Sequence, residues 1–162
     1  MPYAVLALLL VLLDQGVKYL VLTKIPLGGH VPFLPHLLEL TYVQNTGAAF
    51  SLFTGHTWLL TIISLAVSVA LAAALVKGVL RHPFARCALA VVLAGAVGNL
   101  IDRAFLRFVT DMFRTLFLDF PVFNVADICV VLGGIALCVY VIFFYDKYEK
   151  REKQDDAAPS DG

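Results

Sequence analysis

Asp111 and Asp127 lie sixteen residues apart, one closing Val109-Thr110-Asp111 and the other closing Phe123-Asn124-Val125-Ala126-Asp127. If folding brings the two carboxyls together, they cannot both ionise cheaply, so one keeps a proton while the other keeps its charge. Such a pair supplies acid and base at once. The charged member draws a proton from an attacking water, and the protonated one donates to a carbonyl oxygen and later helps an amine leave. That is the chemistry of water addition to a peptide carbonyl, and it needs no covalent intermediate. Nearby, Asn99, Asp102 and Arg103 recur at spacings of three and four and so share a helix face. Asp14 and Lys18 are four apart, again on one face.

Each of these groups also has a plainer reading. Asn124 and Asp127 have the spacing of an N-cap and an acidic third residue, where a helix N-terminus favours negative charge. Asp14 and Lys18 can neutralise one another's burial as a structural ion pair. Asp102 and Arg103 diverge by about 100° around a helix, so Asp102 meets Arg103 obliquely or pairs elsewhere.

The elements that must position these residues are membrane spans. Of 162 residues, 60% are hydrophobic, and the mean hydropathy is +0.87, whereas a soluble domain is roughly 45–50% apolar. A bilayer core about 30 Å thick takes about 20 apolar residues per helix. Four windows qualify, about residues 3–22, 57–77, 87–106 and 125–145. The first reads as a retained helix rather than a signal peptide, because no Lys or Arg precedes it and Asp14 and Lys18 interrupt it. Net charge is zero, so only the placement of charge is informative. Lys77, Arg81, Arg86, Lys147, Lys150, Arg151 and Lys153 oppose Lys24, Arg103, Arg107 and Arg114, seven against four, which favours both termini in the cytoplasm. Cys87, Cys129 and Cys138 lack CxxC spacing and read as small core residues; His30, His36, His56 and His82 lie in connections and predict no metal site.

Two connections carry structure of their own. Leu38 to Val43 alternates like a strand before Asn45-Thr46-Gly47-Ala48-Ala49-Phe50-Ser51, a turn by composition. Arg107 to Asn124 mixes aromatic and charged residues, as interfacial segments do. The tail over 147–162 alternates acids and bases with nothing apolar to bury, and is expected to be a disordered cytoplasmic end.

Five motifs in this order resemble the prolipoprotein signal peptidases, or signal peptidase II: Asp14-Gln15-Gly16-Val17-Lys18, Asn45 to Ser51, Gly98 to Arg103, Val109-Thr110-Asp111 and Phe123 to Asp127. The resemblance implies an all-α membrane protein of four transmembrane helices, with a small extracytoplasmic β-cradle and an interfacial helical segment, forming one domain over 1–146. It further implies a bacterial inner-membrane aspartyl peptidase that removes the signal peptide of prolipoproteins just before the lipid-modified cysteine. Its partners would be that substrate and membrane lipid, with no nucleic acid, metal or organic cofactor. The active site would lie near the outer face, and a single chain would build it, hence a monomer. Carried over by motif, the catalytic pair falls on Asp111 and Asp127, while Asp14, Lys18, Asn45, Asn99, Asp102, Arg103, Asn124 and Ala126 support the site or meet substrate. The chain departs from the family at Arg107, where glycine is common, and at Met112, where phenylalanine is.

Two rival readings remain at this point. A proton-coupled transporter would use Asp14, Lys18, Asp102 and Asp127 as a path, but the second window holds no ionisable residue between Thr57 and Val76. A non-catalytic assembly factor would use the polar groups as bundle glue, and would not require carboxylic acids at 111 and 127.

Overall fold

The computed structural model describes residues 2–47, 56–146 and 148. Its elements run α1 (Pro2–Lys24), β1 (His30–Leu34), β2 (Leu38–Asn45), α2 (Thr57–Lys77), α3 (Pro83–Phe105), β3 (Val109–Thr115) and α4 (Val125–Phe143). The helices have 23, 21, 23 and 19 residues, or about 28–35 Å at about 1.5 Å per residue, enough to cross a bilayer core. Their outward faces carry exposed Leu8, Leu12, Ile62, Val131 and Ile135, a surface that suits lipid rather than water.

Helix α3 packs against all three other helices. Small residues let the backbones approach: Ala88, Ala90, Ala94, Gly95 and Gly98 are all buried on it. A Cβ on Gly95 would collide with the Ala126 carbonyl oxygen and crowd Val130, and one on Gly98 would lie 2.5 Å from the Asp14 carboxylate. The third helix starts four residues before its expected window because His82 caps it, accepting from Phe84 N, and Pro83 fits the first turn.

A three-stranded antiparallel sheet, ordered β1-β2-β3, sits at one end of the bundle. The chain itself fixes that position. β3 follows α3 directly, Thr57 at the start of α2 donates to the Thr46 carbonyl at 3.1 Å, and Met112 and Tyr42 pack with Val21 and Ile25 at the end of α1. Beyond a register shift between Leu40 and Val43, Val43 pairs with Asp111 and Asn45 with Val109.

The sheet differs in one respect from the sequence reading. The Arg107–Asn124 segment, where the resemblance implies an interfacial helical segment, supplies the third strand, and none of it is helical. Its buried run Val109–Met112 is covered on both faces, so it shows no alternation by which a strand could be recognised. Residues 48–55, which include most of the Asn45–Ser51 motif, and the tail over 147–162 apart from Tyr148 lie outside the described residues.

Candidate active site

Asp111 reaches the site from β3 and Asp127 from the first turn of α4. What joins them is the lead-in to α4. Met112 N and Phe113 N both donate to the Phe123 carbonyl, at 3.0 and 2.8 Å, and Phe123 N returns a bond to Phe113 O at 3.1 Å. Phe123 is thereby pinned to the strand, and the next residue, Asn124, lands between the two carboxyls. Its Nδ2 donates to Asp111 Oδ1 at 2.7 Å and its Oδ1 accepts from Asp127 N at 2.9 Å.

Asn124 and Asp127 form a full capping box, since Asn124 N also donates to Asp127 Oδ2 at 3.1 Å. The plain reading of the pair as a helix start is therefore correct, and the same bonds fix the direction of the Asp127 carboxyl. Its second oxygen, Oδ1, accepts from Asn99 Nδ2 at 2.8 Å. The second oxygen of Asp111, Oδ2, accepts from Asn45 Nδ2 at 2.9 Å. Asn45 is held in turn, because its own Oδ1 accepts from Gly47 N at 2.9 Å in an Asx turn.

Asp111 is 2% exposed. Burial first, and the negative charge of Asp127 after it, push its carboxyl up to about 7, against the N–H bonds from Asn45 and Asn124 that favour the anion. At neutral pH Asp111 is thus poised to hold or release a proton.

Both acids line a cavity of about 1180 Å³. Asn45, Asn99 and Arg103 add polar groups to its wall, and Ile128, Val131 and Leu132 continue it along α4 as an apolar strip. Arg103 Nη1 contacts Ser64 Oγ at 3.4 Å and the Asn99 carbonyl at 3.5 Å, while its buried Nε has no partner among the described residues. Two carboxyls, amide and guanidinium donors and an apolar flank thus face one cavity.

Behind the wall lies a second polar cluster. Lys18 is 2% exposed and bonds Asp14 Oδ2 at 2.9 Å, Asp102 Oδ2 at 3.2 Å and Asn99 Oδ1 at 2.9 Å. Asp14 Oδ1 accepts from Ala126 N at 2.8 Å, which Gly98 allows by leaving room for the carboxylate. Asp102 Oδ2 accepts from Thr110 N at 2.9 Å and so anchors the residue next to Asp111. Asp102 therefore pairs away from Arg103, and Asp14 with Lys18 is not a self-contained pair.

All ten candidate residues converge on this end of the bundle: Asn45, Asn99, Arg103, Asp111 and Asp127 at the cavity, Asp14, Lys18, Asp102 and Ala126 behind it, and Asn124 between the acids. Gln15 was missed. Its Nε2 bonds Asp14 Oδ2, the Gly98 carbonyl and Asp102 Oδ1 at 3.1–3.2 Å, and the signal for it was an amide beside Asp14 in an otherwise apolar span. Gly98 and Ser64 give no sequence signal of comparable clarity.

The departures from the family pattern have local explanations. Arg107 adopts a left-handed backbone, φ 68°, the conformation that favours glycine. Met112 is fully buried under the sheet against Val21, Ile25 and Tyr42, an apolar site that a flexible thioether fills.

Known proteins share the sequence and the fold of this chain. The family model described as Signal peptidase (SPase) II matches residues 6–143. The lipoprotein signal peptidase of Enterococcus faecalis is 44% identical over 140 residues, covering 86% of this chain and 87% of that one. That of Clostridium acetobutylicum is 38% identical over 140 residues, 85% and 91% of the two chains. A bacterial membrane enzyme solved by the in meso method superposes with a TM-score of 0.81 at 30% identity, over 92% of this chain and 91% of its own. With four apolar helices long enough to span a bilayer and a family match over nearly its whole length, the chain belongs to the signal peptidase II family.

Proposed function

We propose that this chain is an intramembrane aspartyl endopeptidase that cuts prolipoproteins on the N-terminal side of the diacylglyceryl-modified cysteine, with Asp111 as acid and Asp127 as base. Family membership gives the broader activity, a multi-pass bacterial membrane peptidase acting on lipoprotein precursors. The observation that carries the finer reading is the Asn124 bridge, which turns Asp111 and Asp127 toward one cavity.

In the proposed reaction the scissile carbonyl lies between the acids. Asp127 takes a proton from water as its oxygen adds to the carbonyl carbon, and Asp111 donates its proton to the carbonyl oxygen. Collapse of the tetrahedral adduct returns that proton to Asp111, while Asp127 passes the other to the departing amine. Asn45 and Arg103 hold the substrate backbone, whose carbonyls lose water on leaving the aqueous phase. The apolar strip Ile128, Val131 and Leu132 seats the lipid anchor and so positions the bond to be cut.

The arrangement also supports a single peptidase domain over 1–146, complete in one chain and hence monomeric. The Lys and Arg asymmetry supports cytoplasmic termini and a site near the outer face.

The test is signal-peptide release, followed by gel shift, from a diacylglyceryl-modified prolipoprotein incubated with the purified chain. The parent protein is expected to cleave, and Asp111→Asn and Asp127→Asn each to lose about 10²–10⁴-fold in kcat, the range of a positioned acid or base. Undiminished cleavage by either folded variant overturns the dyad.

A further inference from the structure

We propose that Lys18 is a positioning residue for the dyad: through Asn99 it decides which side of an amide faces Asp127. The inference rests on the reading of Asp127 as the base, and goes beyond it by giving the buried lysine a part in the reaction.

An ammonium can only donate hydrogen bonds. Lysine has three donors and no acceptor, so the Asn99 atom 2.9 Å from Nζ has to be the oxygen. Asn124 Nδ2 donates to that same oxygen at 3.1 Å. With the oxygen engaged twice, the Asn99 nitrogen is the atom left for Asp127 Oδ1, 2.8 Å away. Turned over, the amide would set a carbonyl oxygen against a carboxylate and a nitrogen against an ammonium, two repulsions in a region of low dielectric.

An ion pair that merely joins helices would need Asp14 and Asp102, both already in contact with Lys18. The further bond to Asn99 is what such a role leaves over. It completes a relay of two short bonds, 2.9 and 2.8 Å, from a fully enclosed cation to a cavity-facing carboxyl. The charged groups around Asp127 are Asp111 on β3 and Arg103 on α3, with Asp14, Lys18 and Asp102 behind Asn99.

Asn99→Asp isolates the relay, because it keeps an oxygen toward Lys18 and changes only the atom presented to Asp127. When ionised, the new carboxyl repels Asp127; when protonated, it can donate an O–H in place of the lost N–H. The purified full chain carrying Asn99→Asp is therefore expected to lose about tenfold or more in kcat at pH 7 with KM little changed, and its kcat relative to the parent protein at the same pH is expected to recover as the pH is lowered toward about 5. Lys18→Met should lower kcat in the same way without that acid recovery; should it fail to fold, Asn99→Asp alone carries the test. An Asn99→Asp protein with the parent kcat and pH profile, alongside an inactive Asp127→Asn, overturns the relay and leaves the dyad standing. A folded Asn99→Asp protein that is inactive across the pH range with a raised KM assigns Asn99 to substrate binding and also overturns it. Activity in Asp127→Asn removes the dyad, and the relay with it.

Discussion

The chain holds two sets of aspartates at one end of the bundle and partners them oppositely. Asp14 and Asp102 share an ammonium at 2.9 and 3.2 Å, with further N–H donors from Ala126, Thr110 and Gln15. Asp111 and Asp127 have no cation at ion-pair distance among the described residues and are held by neutral amides: Asn45 and Asn124 on one, Asn99 and the Asn124 main chain on the other. A carboxylate bonded to a buried cation is committed to that contact, and here the contact ties α1 to α3. One held by neutral amides is oriented without a counter-charge, and for Asp111 burial keeps the neutral form within reach. The identity of the partner separates the ion-paired acids from the two proposed to react.

The sharpest way to break this contrast is to remove one carboxylate of each kind without changing its shape. Asp102→Asn takes a negative charge from around Lys18, and removing one partner of a buried pair costs about 3 kcal/mol, the lower end of the usual range because Asp14 remains. Lower yield and an earlier thermal melt in detergent are expected, with residual turnover in the protein that folds. Asp111→Asn should do the reverse, leaving one N–H donor without its acceptor, about 1 kcal/mol, while turnover collapses. If a well-folded Asp102→Asn protein is inactive, Asp102 belongs with the reactive pair and the contrast fails.

A second effect, smaller and gradual, follows from the raised carboxyl of Asp111. As the acid in the proposed reaction, Asp111 has to be protonated, so kcat should fall as pH rises through about 7. Stability has the same sign. Between the ordinary value of 3.8 and about 7, folded Asp111 binds a proton that the unfolded chain has released, so its contribution is fully present below 3.8 and is lost as pH rises through 7. Asp111→Asn should abolish that part of the slope in melts from pH 5 to 8. An unchanged slope would mean that Asp111 is not the titrating group.

What the sequence made legible follows the same division. The spans could be read because lipid demands long apolar runs, and the motifs could be read because each packs several polar groups into a few residues. The Asp14–Lys18 pair was recognisable from its spacing alone, but its extension to Asp102 and Asn99 was not, since that depends on how closely α1 approaches α3, and hence on Gly98. The third strand was hidden for a related reason: Val109 to Met112 are buried on both faces, so the alternation that marks a half-exposed strand is absent. Spacing could not bring Asn124 beside Asp111 either; that requires the Phe113–Phe123 bridge.

The smallest expected effect lies at the joint between the two sets. Asp102 ends the ion-paired cluster and Thr110 begins the approach to the reactive pair, and between them Arg107 takes a left-handed backbone, φ 68°. An L-residue in that region costs roughly 1–2 kcal/mol, which Arg107→Gly should relieve, less about 0.5–1 kcal/mol for the greater freedom of unfolded glycine. A net gain of about 0.5 kcal/mol in detergent melts is expected, with signal-peptide release unchanged. Activity should hold because the joint does not depend on the stiffness of residue 107: the Thr110 N–H is fastened to Asp102 at 2.9 Å, and Leu106 N closes the helix on the Asp102 carbonyl at 2.7 Å. Asp102 thus grips the strand on one side of Arg107 and the helix end on the other. A marked loss of turnover in Arg107→Gly would show that this double grip is insufficient, and that the register of Asp111 relative to Asp127 depends on the connection itself.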